Sequence, residues 1–503
     1  MLYLVGLIIP LLSYLFQIYP RFINRYFGVD VWSRMLEADF IRKNGHKIPM
    51  EKISDGYIIE GYLDYPPVLP WLLSFIPKKN LLSLQGFIAP LFDVMQNIFV
   101  FVIVLQLTGN VQIALLTQIV YATIPLSVLE NSYLTPRSLG YVSFTGALYP
   151  LLLYSLVQNP IYLIIGFLFT LLCFFSHRFA TQSLLFVCVF FSIIDRNIFY
   201  LVVFFTAMLT AIVISKGYYL RILEGHIANI YFWVKNYQFR FAHQVRGLVK
   251  KRQKWDFVSL VYFVLGKFTP VTLIGTNLWI VAPVFFLLEK LFSFGIIPEH
   301  ILMEPLYFKM SLWVIFFYVL GALVLSIPHL QPIGEGQRYL EMTLAPTAIV
   351  TAVTFFSLWG TGYAIIVTAC LVLILCTNVA LTFISQWMGI IHDKYRSLHK
   401  DMRGVFAFIN MLKPAPRILC IPHQITTMVV YNTKANVFVD IQAGTMQKIS
   451  EVFPILKQQI PILAKKYGLD LLILKKHYAT IEELKLDKKS VIFETEETQV
   501  IRL

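Results

Sequence analysis

Long apolar runs dominate the first four-fifths of the chain and break at short polar turns. Eleven runs read as candidate membrane spans, near residues 2–19, 85–107, 111–129, 141–157, 161–175, 181–194, 198–215, 271–290, 308–327, 340–357 and 362–386. Several fall short of the ~20 residues that a full helical crossing prefers. The runs are continuous and lack the alternation of a membrane β-barrel strand. Thr108-Gly109-Asn110 and Asn159-Pro160 mark tight turns. From about residue 392 the pattern changes. RILCIP, TMVVY, NVFVDI and LDLLILKK read as strands, residues 445–467 as a helix ended by Gly468, and VIFETEETQVIRL as a closing hairpin. The expected fold is a polytopic α-helical membrane protein of about eleven transmembrane helices (1–391), followed by a small soluble C-terminal α/β domain (392–503).

Composition agrees with a membrane protein: 57% of the 503 residues are hydrophobic and 14% charged, against roughly a quarter charged in soluble domains. The N-terminal run lacks a basic n-region and a small-residue cleavage site, so it reads as the first span. Five cysteines without a CxxC pair, and ten histidines without HxxxH spacing, argue against a disulfide framework and a histidine- or cysteine-built metal site. No phosphate-cradling glycine loop or other nucleotide motif occurs in a supporting context, and nothing points to nucleic acid.

The polar exception is the loop 20–84, too rich in aromatic and aliphatic residues for disorder. Within it, Val31, Trp32, Met35, Leu36 and Phe40 follow helical spacing. Asp30 reads either as the N-cap of an amphipathic helix lying on the bilayer and ended by Asn44-Gly45, or as a functional acid. Asp64 and Tyr65 precede Pro66-Pro67, which stiffen the return to the membrane. Glu130 closes the third span. It is either functional or paired with Arg137. His177-Arg178 interrupts the apolar sequence between two short spans and suits a pocket. Glu335, Arg338 and Tyr339 precede the tenth span, and Arg338 suits a bidentate phosphate clamp or a headgroup contact. In 216–256, Ile227, Tyr231, Val234, Lys235, Arg240, Phe241, Val245, Arg246, Leu248 and Lys250-Lys251-Arg252 read as a basic interfacial helix, with an interfacial or re-entrant segment at 257–266.

Eleven spans gather loop 20–84, loop 216–256 and the C-terminal domain on one face. Each of these loops holds nine Lys and Arg residues, and charge alone would put that face in the cytoplasm. An anionic substrate or anionic headgroups offer the other account of those cations.

Taken together, these features resemble the GT-C superfamily of integral membrane glycosyltransferases. The resemblance rests on span 1, a long first loop with the early acid Asp30, the second-loop acid Glu130, Tyr65-Pro66-Pro67, Arg338-Tyr339 and a C-terminal soluble domain. It implies an inverting glycosyltransferase of the cell (inner) membrane, with active site and C-terminal domain outside the cytoplasm. The donor would be a polyprenyl-phosphate-linked sugar and the acceptor a hydroxyl on a glycan, lipid or protein. Asp30 would be the general base or a ligand of Mg²⁺ or Mn²⁺, and Glu130 would share that metal or orient the acceptor. Asp64, Tyr65, Arg137, His177, Arg178, Glu335, Arg338 and Tyr339 would contact substrate. The alternative is a transporter, flippase or polymerase of lipid-linked glycans.

Overall fold

The computed structural model describes residues 2–239, 270–393, 396–439 and 445–503. Arg240, Phe241, Val245, Arg246, Leu248, Lys250-Lys251-Arg252 and the segment 257–266 lie outside them. Six helices are long and apolar enough to cross a membrane: Leu2–Ile23, Lys78–Thr108, Arg137–Val157, Pro305–Ser326, Gly336–Trp359 and Ala364–Ile391. The number rises to eight if each of two bent pairs, Val111–Ala122 with Pro125–Asn131 and Phe199–Ile214 with Tyr218–Phe239, makes one span. Pro160–Ser176 and Arg178–Ile194 are shorter apolar helices. The expected span at 271–290 is broken into Pro270–Gly275, a single 3₁₀ turn and Val281–Phe292. Asn277 causes part of the break, because its side chain accepts the Trp279 N–H and starts a new helix.

These helices are amphipathic in the inverse sense to soluble ones. On Leu2–Ile23 the exposed face carries Leu4, Leu7, Leu11 and Leu15, while Gly6, Ser13 and Gln17 are buried. Lipid takes the apolar face and the polar groups must satisfy one another inside. Asp93, buried on Lys78–Thr108, shows how. It accepts from Gln17 (2.5 Å), Tyr121 (2.6 Å), Ser127 (3.0 Å) and Asn131 (2.8 Å), so one carboxylate ties four helices together.

The C-terminal region carries a five-stranded sheet in the order β2-β1-β3-β5-β4. Its strands are β1 (Arg417–Ile421), β2 (Asn436–Val437), β3 (Leu471–Lys475), β4 (Val491–Glu494) and β5 (Thr498–Arg502). β1 runs parallel to both β2 and β3, and β3, β5 and β4 pair antiparallel. The expected strand TMVVY is instead the helix Thr426–Asn432. Residues 426–431 are all buried, and the helix packs on the first-loop helix, with Trp32 and Tyr431 ring centroids 5.7 Å apart; burial on every side overrides β-propensity. The expected helix 445–467 is two helices, Met446–Ile449 and Ile460–Tyr467, the second stopped by Gly468 in the left-handed conformation.

The first loop is fastened at both ends. Gly28 N–H donates to the Arg396 carbonyl (2.9 Å) and Leu398 N–H to that of Tyr26 (3.2 Å), so the chain before Asp30 pairs with the chain leaving the last span. Farther along, Ile58 N–H donates to the Val437 carbonyl (2.8 Å) and Ile59 N–H to that of Phe438 (3.1 Å), which extends the sheet past β2.

Candidate active site

The helix Asp30–Lys43 does not lie on a surface. Residues 31–41 are all buried, and ion pairs within the helix neutralise its charges: Arg34–Glu37 and Asp39–Arg42, both at 2.7 Å. Nor is Asp30 its N-cap. Val29 holds that place in a helical conformation without a side-chain cap, and Asp30 is the first helical residue. Gly28, at φ +117°, lets the chain turn there; a Cβ would collide with Val31. The Asp30 side chain is therefore exposed, and it faces a cavity of about 430 Å³. That volume is in the range of small-molecule sites, ~300–1,000 Å³.

Seven expected residues line this cavity: Asp30, Tyr65, Arg137, His177, Arg178, Glu335 and Arg338. Loop 20–84, the 135–137 turn, the 177–178 junction and the 332–338 segment, scattered in sequence, thus meet at one place. The remaining three stand behind the wall. Asp64 is buried and pairs with Arg178 at 3.0 Å. Glu130 pairs with Arg137, and Tyr133 O–H donates to it at 3.0 Å. The Tyr339 hydroxyl donates to the Ile333 carbonyl (2.9 Å) and accepts from Gln182 (2.8 Å). Each of these three is consumed in holding a residue or loop that does face the cavity, which sequence spacing alone does not reveal.

Four arginines supply the cavity's positive charge, and a carboxylate orients each one. Arg34, absent from the sequence-derived set, pairs with Glu37, and its guanidinium stacks 3.7 Å from the Tyr65 ring centroid; Arg178 lies 5.1 Å from the same ring. Burial raises the Tyr65 phenol against the lowering pull of Arg34 and Arg178, so it stays neutral. Gly225 lies against the Asp64–Arg178 pair, where any Cβ would collide with both groups. Arg137 is held by Glu130 and by Glu341, the latter at 2.8 Å. Arg338 pairs with Glu335 at 3.0 Å, and both are partly exposed. Asp30 and Glu335 are the lining acids among the described residues, and Asp30 alone of the two has no ion pair.

His177 is 4% exposed, and its Nδ1 has no hydrogen-bond partner. Burial first, then Arg137, Arg338 and Arg34, push its pKa well below the usual histidine value, so it is neutral. The Thr135 hydroxyl, also buried and lining the cavity, is likewise without a partner. The outer rim comes from His226, Asn229 and Trp233 on Tyr218–Asn236 and from Gln424 and Phe453 of the C-terminal region. Little in the sequence marked these residues, apart from Glu341 standing three positions after Arg338.

A divalent cation shared by Asp30 and Glu130 does not fit this arrangement. Glu130 Oε2 takes both Arg137 and Tyr133, and among the described residues no group of three or more His, Cys, Asp and Glu side chains could hold a metal.

The fold is similar to that of solved oligosaccharyltransferase and ArnT structures. An archaeal oligosaccharyltransferase from Archaeoglobus fulgidus, in complex with an inhibitory peptide and a dolichol-phosphate, matches with a TM-score of 0.61 at 12% identity over 94% of this chain and 69% of its own. ArnT from Cupriavidus metallidurans, in the apo state, matches with a TM-score of 0.58 at 11% identity over 99% of this chain and 97% of its own. A second structure of the Archaeoglobus fulgidus enzyme, a complex with zinc and sulfate, gives 0.57 at 13% identity over 96% and 71%. At such identities the likeness is one of fold. No protein-family model matches the sequence, and no curated protein matches it.

Proposed function

We propose that the chain is an inverting membrane glycosyltransferase that moves a sugar from a polyprenyl-phosphate-linked donor to an acceptor hydroxyl. The observation that carries this reading is the exposed, unpaired Asp30 carboxylate facing a cavity ringed by four oriented arginines. A fold shared with an enzyme complexed with dolichol-phosphate supports it. Asp30 takes the proton of the acceptor hydroxyl. The acceptor oxygen bonds to the anomeric carbon from the face opposite the phosphate. The anomeric carbon–phosphate oxygen bond breaks, and its electron pair stays on the departing lipid phosphate. A phosphate diester thereby becomes a monoester with one more negative charge. Arg338, partly exposed and bound only to partly exposed partners, can turn toward that charge, and Arg137 and Arg178 add field. His177, kept neutral, offers Nδ1 to a sugar hydroxyl. Asp64, Glu130 and Tyr339 act as positioning residues, and Glu335 steers Arg338 until phosphate replaces it.

The sequence up to residue 391 would form the membrane part and 392–503 a soluble domain, both contributing to the site. The site would face away from the cytoplasm in a cell (inner) membrane, where lipid phosphate and anionic headgroups compensate the basic loops.

Purified protein with labelled polyprenyl-phosphate sugars tests the reading. Label leaving the lipid for an acceptor, and a loss of ~10²–10⁴-fold in the folded Asp30→Asn variant, is the expected result. Wild-type transfer by Asp30→Asn would remove Asp30 as the base. Tight binding of intact donor without transfer by the wild type would favour a transporter.

A further inference from the structure

We infer that this site carries its metal-like cation within the chain. The Arg137 guanidinium occupies the place between carboxylates that a divalent ion would need, and transfer proceeds without a metal. The inference rests on the glycosyl-transfer reading above and specifies how its leaving group is stabilised.

The argument begins with the carboxylates. A hard divalent cation needs about six oxygen ligands, of which protein carboxylates supply the anionic ones. Six carboxylates lie in or next to the cavity wall: Asp30, Glu37, Asp64, Glu130, Glu335 and Glu341, of which Glu37 pairs with Arg34 and Asp64 with Arg178. Arg137 takes two of them with one nitrogen. Its Nη1 bonds Glu130 Oε2, and it reaches Glu341 Oε1 at 2.8 Å. A phenol adds to each: Tyr133 O–H donates to the same Glu130 Oε2 (3.0 Å) and Tyr141 O–H to the other Glu341 oxygen, Oε2 (2.9 Å). Glu335 is shared by Arg338 Nε (3.0 Å) and Gln337 (3.2 Å). Among the described residues Asp30 alone of the six has no ion pair, and one unpaired carboxylate does not build a metal site.

Burial makes the substitution specific. The Arg137 side chain is 8% exposed and Glu341 is fully covered, yet Arg137 reaches the cavity wall. A guanidinium locked between two carboxylates is a fixed positive pole. It needs no metal supply and cannot be chelated away. A dication entering here would meet Arg137, Arg338, Arg34 and Arg178 around the same cavity, and their repulsion opposes its binding.

Manganese(II) titration of the purified full-length protein, read by electron paramagnetic resonance, tests this beside the transfer assay. Wild type should bind no stoichiometric Mn²⁺ in the micromolar range, and its transfer rate should be the same in EDTA and in Mn²⁺. Arg137→Ala, which frees Glu130 and Glu341 toward the cavity, should bind Mn²⁺ at least tenfold more tightly than wild type and lose transfer at least 100-fold. Arg137→Lys keeps one positive charge, so it should not gain Mn²⁺ affinity; it serves as the comparison if Arg137→Ala does not fold. Stoichiometric micromolar Mn²⁺ on wild type, or transfer abolished by EDTA and restored by Mn²⁺, overturns the inference. If wild type transfers no sugar from any polyprenyl donor, the glycosyl-transfer reading fails, and the Mn²⁺ titration still decides whether Arg137 holds the metal's place.

Discussion

Single side chains divide into those that face the cavity and those that aim them, and the division has measurable consequences. Glu341 is buried and holds Arg137 and Tyr141. Glu341→Ala leaves a guanidinium without one partner in a low-dielectric wall, and should cost about 3–5 kcal/mol of stability, read as a lower thermal midpoint in detergent. Asp30→Asn should leave that midpoint within about 0.5 kcal/mol of wild type, because an exposed, unpaired carboxylate contributes little to folding. The two variants thus separate support from chemistry. His177 gives a pH signature. Its folded pKa is pushed well below the ordinary value, so the unfolded chain binds a proton that the folded chain does not once pH drops below about 6.5. Stability from this group is complete above that pH and declines below it, by roughly 1.4 kcal/mol per pH unit. Midpoints measured between pH 7.5 and 5 should fall, and His177→Gln should flatten the part of that slope due to this residue. An unchanged slope in the variant would mean that His177 is not held neutral.

At the level of elements, the sequence marks what periodicity and punctuation control. The first-loop helix, the Tyr65-Pro66-Pro67 return, the His177-Arg178 junction and strands β1, β3 and β5 were all legible, because apolar spacing, prolines and β-branched runs act locally. Contacts that depend on the tertiary fold were not. Arg34 lies off the apolar stripe of the first-loop helix, yet the chain buries it and turns the arginine onto Tyr65. TMVVY has the composition of a strand and becomes a helix because Asp30–Lys43 and the sheet cover it on both sides. Glu130 was open between function and an ion pair; the pair with Arg137 forms, while a part in catalysis belongs to experiment. The joint at Gly28 is the element-scale weak point. Its φ of +117° and the Val31 side chain exclude a Cβ, and its N–H binds the Arg396 carbonyl. Gly28→Ala should displace the start of the helix and with it Asp30, lowering kcat at least tenfold while donor binding through Arg338 changes little. A full-activity Gly28→Ala enzyme would show that the joint does not set the position of Asp30.

Across the whole molecule, the loops, the cavity and the C-terminal sheet are one construction. The first loop pairs with the chain leaving the last span at Gly28 and with the sheet at Ile58 and Ile59, and Gln424 and Phe453 close the cavity from the C-terminal side. Whatever side of the membrane holds loop 20–84 therefore holds the site. The two accounts of its nine cations lead to opposite sides. Positive-inside counting weakens for loops of ~60 residues or more, and cations compensated by anionic lipid, at about 1 kcal/mol each near such a surface, do not oppose export. The structure adds that Arg34 is spent on a buried pair with Glu37 and Arg42 on a half-buried one with Asp39, and that Arg21 is buried against the Phe27 carbonyl (2.8 Å) and Gln85 (2.9 Å). Fewer loop charges are thus free to act as a topological signal than the sequence count suggests. Ser54 in this loop is exposed. A Ser54→Cys variant, with the exposed Cys370 and Cys376 replaced by serine, should react with a membrane-impermeant maleimide in cells whose inner membrane is intact. Labelling that requires rupture of that membrane would place the site in the cytoplasm, and the donor sugar would then have to be presented on the cytoplasmic leaflet.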